Sequence, residues 1–127
     1  MNNYDTDHEA LAASIIVRVA LAYCNAQTAT LGLEDAPVPD RQWQACCAVA
    51  ARSIPDPQAM TPELCHHEWR LNQMRSSHPG YWPPAASRNW DDLSPMDQYV
   101  ERSGLAAMRA ELLEIERQRE EQSTEAL

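Results

Sequence analysis

Thr61-Pro62-Glu63-Leu64-Cys65-His66-His67-Glu68-Trp69 is the stretch from which the fold can be read. Thr61 places a hydroxyl where a helix needs an acceptor for its first free N–H groups. Pro62 follows at the first helical position, where its missing N–H costs nothing, and Glu63 sets a carboxylate against the positive end of the helix dipole. The helix so opened is expected to reach about residue 76 and to carry Leu64, Cys65, Trp69, Leu71 and Met74. Ser94-Pro95-Met96-Asp97 repeats the signature. It opens a last long helix, whose apolar face begins with Met96, Tyr99 and Val100. Leu105, Met108, Leu112 and Ile115 continue that face at steps of three and four, the spacing of one helical stripe.

Working back from Thr61, Pro55 and Pro57 end a shorter helix that Asp40 caps. It is expected over residues 40–53, with Trp43, Cys47, Ala50 and Ile54 on one side. Before it, Ile15, Ile16, Val19, Ala22, Tyr23 and Ala26 form a stripe on a first helix expected over residues 8–31. Thr6 and Glu9 have capping-box spacing, and Gly32 is suited to a left-handed stop. No strand-like alternation and no repeat interrupts this order. The fold class expected is all-α, a compact bundle of about four helices. One domain over residues 8–115 is flanked by a flexible start at 1–7 and a charged tail at 116–127.

Composition narrows the function classes. The 127 residues carry a net charge of −9, and all ten basic residues are Arg. Duplex binding needs clustered cations, whereas Arg18, Arg41, Arg52 and the rest lie among carboxylates, so general nucleic-acid binding is not expected. Without Lys there is no Schiff-base or P-loop chemistry. Mean hydropathy is −0.55, and no apolar run approaches the length that spans a bilayer. The polar, acidic start lacks the pattern of a signal peptide, so a cytoplasmic protein with no membrane contact is expected. The four cysteines (Cys24, Cys46, Cys47 and Cys65) read as reduced, buried small hydrophobes.

Taken in order, these motifs resemble the ryanodine-receptor repeat domain, a module found in calcium-release channels and singly in bacterial and phage proteins. The resemblance runs through Trp43, Ile54-Pro55-Asp56, Thr61-Pro62-Glu63, His66 with Trp69, and Trp90-Asp91-Asp92-Leu93-Ser94-Pro95, covering residues 15–108. The family's Gly-Trp and His-Pro are present only in rearranged form, as His78-Pro79-Gly80-Tyr81-Trp82, and its Lys is missing. The resemblance implies a helical module without catalytic activity and makes a nucleotide-derived ligand an expectation. The resemblance extends this expectation to sequestering a host defence signal, the use such binding would have in a phage protein. It also implies a packing or hydrogen-bonding role for His66 beside Trp69.

The residues themselves offer one main site. The Pro- and aromatic-rich segment 78–89 is long for a loop within a compact domain. Tyr81, Trp82 and Trp90 are flat faces on which a base can stack, or else rings that cover the ends of helices two and three. Arg70, Arg75 and Arg88 flank the segment and are candidates to fork a phosphate; His66 completes the expected ligand-binding set. Cys65-His66-His67 lacks the paired spacing of a structural zinc site, and no motif joins a nucleophile to a base. No metal, no cofactor and no enzymatic activity are expected. The alternative class is a protein–protein adaptor acting through the last helix. Leu112 and Ile115, if they project beyond the body, would also give a weak homodimer.

Overall fold

A computed structural model describes the backbone of residues 3–33, 38, 40–75 and 88–125, and the side chains of 14–33, 38, 40–73 and 88–123. The order is α1 (Asn3–Thr30), α2 (Asp40–Ser53), a 3-10 turn (Pro57–Ala59), α3 (Pro62–Arg75), a second 3-10 turn (Trp90–Asp92) and α4 (Pro95–Glu125). There is no strand among the described residues. The chain is all-α with four helices, as the periodicity predicts. α1 packs on α2 and α4, and α3 on α2 and α4, so the helices form a closed ring of antiparallel neighbours. No helix among the described residues is long and apolar enough to cross a membrane.

The start signals of α3 and α4 operate as read, whereas Thr6 and Glu9, expected as a capping box, lie inside α1. Thr61 Oγ1 accepts the Leu64 N–H at 3.2 Å, and Ser94 Oγ accepts the Asp97 N–H at 3.1 Å. α1 stops at a Schellman turn, with Gly32 at φ +71°. The Leu33 N–H reaches the Thr28 carbonyl at 2.7 Å and the Gly32 N–H the Ala29 carbonyl at 3.1 Å, which satisfies carbonyls the helix end would leave free.

Both outer helices run further than the apolar pattern suggests. α1 begins at Asn3 rather than at residue 8. The expected tail at 116–127 is helical to Glu125. Arg117 pairs there with Glu114 and with Glu121, three and four residues away, and such pairs support a helix without a core.

The interior is built largely from small residues. On α2 the buried face is Ala45, Cys46, Val49, Ala50 and Ser53, about one position from the expected stripe; Trp43, Cys47 and Ile54 pack only partly against it. On α4, Val100, Leu105, Met108 and Ile115 are buried, whereas Met96 and Tyr99 stand 55% and 58% exposed. On α3, Cys65 and Trp69 face inward and Leu64 outward. All four thiols are free. Close approach is sharpest between α1 and α4, where a Cβ added at Gly104 would lie 2.6 Å from the Tyr23 ring.

Ile115 belongs to this core at 6% exposure, and Leu112 packs against it. The patch expected to drive a homodimer is therefore not on the surface, because α1 is long enough to lie along the last helix. Leu113, on the other side, is exposed. Across the same interface Arg18 pairs with Glu111 at 2.6 Å and donates to Gln118 at 3.0 Å.

A line of polar side chains crosses this core. On α4, Glu101 is 5% exposed and accepts the Tyr23 hydroxyl. Gln27 donates to the other oxygen of Glu101 at 3.4 Å, and Gln42 donates to the Gln27 oxygen at 3.4 Å. The oxygen of Gln42 accepts the Trp69 indole N–H at 3.0 Å and the Gln73 amide at 3.1 Å. All four helices contribute to it, and buried polar groups are tolerated only when bonded in this way.

Candidate functional site

A cleft of about 410 Å³ lies between the first half of α3 and the turn that begins at Trp90. Glu63, His66, His67 and Arg70 line one wall. Their spacing of three, four and seven puts them on one helical face, so the sequence of α3 assembles that wall alone. Asn89, Trp90 and Asp91 form the other wall. Their turn is closed by the Asp92 N–H to the Asn89 carbonyl at 3.0 Å and anchored by the buried Leu93.

His66 sits at the back of the cleft and is 3% exposed. Its ring stacks on Trp69 at 5.9 Å between centroids and meets Trp90 at 6.4 Å, tilted by 54°. Nε2 lies 2.7 Å from the Arg88 carbonyl oxygen. Because a carbonyl can only accept, Nε2 carries the proton. Burial pushes the His66 pKa below its ordinary value; the Arg88 carbonyl opposes this, and the nearby charge of Arg70 reinforces it. The ring is thus neutral at neutral pH. It ties α3 to the segment before Trp90.

Arg70 reaches across the cleft and donates to Asn89 Oδ1 at 2.6 Å. Trp90 is half-buried, with the Arg102 guanidinium 5.5 Å from the ring centroid and Gln98 donating to its carbonyl at 2.9 Å. A cation over an indole face gains from the ring quadrupole. It also occupies part of the surface on which a base would stack.

Of the expected site residues, His66, Arg70 and Trp90 come together here. Arg88 contributes its backbone carbonyl, while its side chain is exposed. Tyr81, Trp82 and the side chain of Arg75 lie outside the described residues. Sequence reasoning passed over Arg102, Asn89 and Asp91. No local pattern links Arg102 to Trp90, since only the angle between α4 and its preceding turn does so. No group of metal-ligating side chains occurs among the described residues. Thr61, the one hydroxyl on the cleft wall among the described residues, is engaged as the cap of α3.

Chemically, the walls offer a guanidinium, an amide, two carboxylates, two imidazoles and an indole. A ligand with one anionic group and several donor hydrogens suits such a mixture better than a polyanion. No protein-family model matches the chain, and neither a curated protein nor a solved structure matches it.

Proposed function

We propose that this chain is a non-catalytic binding module of the ryanodine-receptor repeat type, and that the cleft between α3 and Trp90 takes a small nucleotide-like ligand. The reading rests on one observation: His66, Arg70 and Trp90, drawn from two segments, line one cleft. In this reading Arg70 forks a phosphate, and a base lies against the open part of Trp90. Glu63 and Asp91 accept from sugar hydroxyls or an exocyclic amine. Two carboxylates facing one arginine favour a ligand of low charge, a nucleoside monophosphate or cyclic nucleotide rather than a triphosphate.

A thermal-shift titration with nucleoside monophosphates, cyclic nucleotides and the parent nucleosides tests this. Ligand at a hundred times its Kd adds about 2.7 kcal/mol, which is easily seen. Arg70→Ala should abolish the shift from phosphate-bearing ligands and spare any shift from the nucleoside. Trp90→Ala should abolish both while leaving the apo melting temperature nearly unchanged. No stabilisation by any of these ligands at millimolar concentration would refute the proposal.

A further inference from the structure

The polar line through the core has a direction that follows from donor and acceptor chemistry. An indole N–H can only donate, so Trp69 requires the Gln42 oxygen to face α3. The Gln42 amine is then left for the Gln27 oxygen, and the Gln27 amine for Glu101. Tyr23 donates to the same carboxyl group from the other side. Every bond therefore points toward Glu101, and both of its oxygens are used as acceptors. The line ends on a group that satisfies it best when ionised.

Burial makes the opposite demand. Glu101 is 5% exposed, and among the described residues neither a hydrogen bond nor an ion pair joins it to a cation. A carboxyl group taken out of water without a cation favours its neutral form. Tyr23, Cys46 and Cys65, titratable groups of the same core, do not supply a compensating charge. Burial raises the Tyr23 hydroxyl well above its ordinary range and pushes the Cys65 thiol up to about 12, and Cys46 is raised by its hydrogen bond to Cys24 and then by burial. Arg109, two turns along α4, donates to the Met60 carbonyl at 2.6 Å.

We propose that Glu101 is a proton-operated switch whose state is carried through Gln27 and Gln42 to Trp69, and so to the ring of His66 at the back of the cleft. When the carboxylate takes up a proton, its new O–H must find an acceptor. Turning the Tyr23 hydroxyl supplies one and leaves that hydroxyl's own proton without its former partner. Turning the Gln27 amide supplies another, but then two amines meet at Gln42. Gln42 cannot relieve this by turning in place, because Trp69 and Gln73 both hold its oxygen; its amide must instead shift away from Gln27, which changes the bond it accepts from Trp69. The line thus has two hydrogen-bonded arrangements, and the two bonds that link Glu101 to Gln42 are the long ones, at 3.4 Å each.

Desolvation raises Glu101 to about 7, with the Tyr23 hydrogen bond acting against it. The transition therefore falls where a modest change of pH moves it. Cys24 is the other core group near this range, brought down to about 7 by its hydrogen bond from Cys46 and opposed by burial. The proposal does not depend on what the cleft binds.

The test is the Trp69 indole ¹⁵N–H resonance of the full chain followed from pH 5 to pH 8.5. It is expected to move with a midpoint near 7, and the Glu101 side-chain carboxyl ¹³C resonance should move with the same midpoint. In Glu101→Gln the indole should stay near its acid-end position throughout, and in Cys24→Ser it should titrate as in the parent. An indole that does not move, or one whose midpoint differs from that of the carboxyl, overturns the proposal using the parent protein alone. So does a titration that survives Glu101→Gln or disappears in Cys24→Ser.

Discussion

Replacing Gly104 with Ala sets two effects of opposite sign against each other. Inside a long helix, alanine is favoured over glycine by about 1 kcal/mol, so an unpacked position would be stabilised. Here the new Cβ would stand 2.6 Å from two atoms of the Tyr23 ring. Reaching ordinary contact at 3.4 Å requires the ring or the helix to shift by about 0.8 Å. The ring has no free space to enter, being 0% exposed and tied through its hydroxyl to Glu101. Overpacking of this kind costs about 1–3 kcal/mol, and weakening a buried hydrogen bond to a carboxyl adds about 1 kcal/mol more. The net effect should be a loss of about 2 kcal/mol, lowering Tm by roughly 8 °C in a domain of this size. Thermal melts followed by far-ultraviolet circular dichroism would read it. A Gly104→Ala variant that melts at or above the parent would refute the close packing of α1 on α4.

Other perturbations probe separate parts of the structure. Glu101 keeps its proton to about pH 7 in the fold but only to about 4.5 when unfolded. Stability should therefore decline from pH 4.5 to pH 7, and Glu101→Gln should remove about 3 kcal/mol of that dependence; parallel stability–pH curves would contradict it. His66 has the opposite sign: its depressed pKa means stability is lost as pH falls below about 6.5, and His66→Gln should flatten that acid limb in urea melts. Thr61→Ala and Ser94→Ala should each cost about 1 kcal/mol as lost caps, and no change in chemical denaturation would count against the start signals. Truncation after Ala110 removes Ile115 from the core and should lower Tm steeply, whereas an exposed Ile115 would leave it unchanged.

What was legible in the sequence was what a few neighbouring residues decide. The starts of α3 and α4 follow from Thr61-Pro62 and Ser94-Pro95, because a cap is satisfied within one turn. Gly32 marks the end of α1 for the same reason. Which face of α2 is buried was less legible, because Trp43 and Ile54 outweigh Cys46, Val49 and Ser53 in hydrophobicity. The ring of helices instead closes over the smaller residues. Gln27, Gln73 and Glu101 are polar residues buried by partners on other helices, and no local pattern announces such pairing. At the site, His66, Arg70 and Trp90 were legible as candidates, whereas Glu63 and His67 were not. Their meeting depends on the Arg88 carbonyl and on Leu93, and Arg102 joins only through the placement of α4.

The antiparallel register of α1 and α4 has a practical consequence. Tyr23 lies against Gly104 and Arg18 against Glu111, which brings Asn3 level with the last turns of α4. The cleft is near the opposite pole, beside the start of α4. At 1.5 Å per residue, some 25 helical residues separate the two poles by roughly 35–40 Å. A fluorophore, biotin or fusion partner attached at either end would thus emerge far from Trp90. Surface capture or single-molecule tethering from either direction would leave the cleft open to the solution.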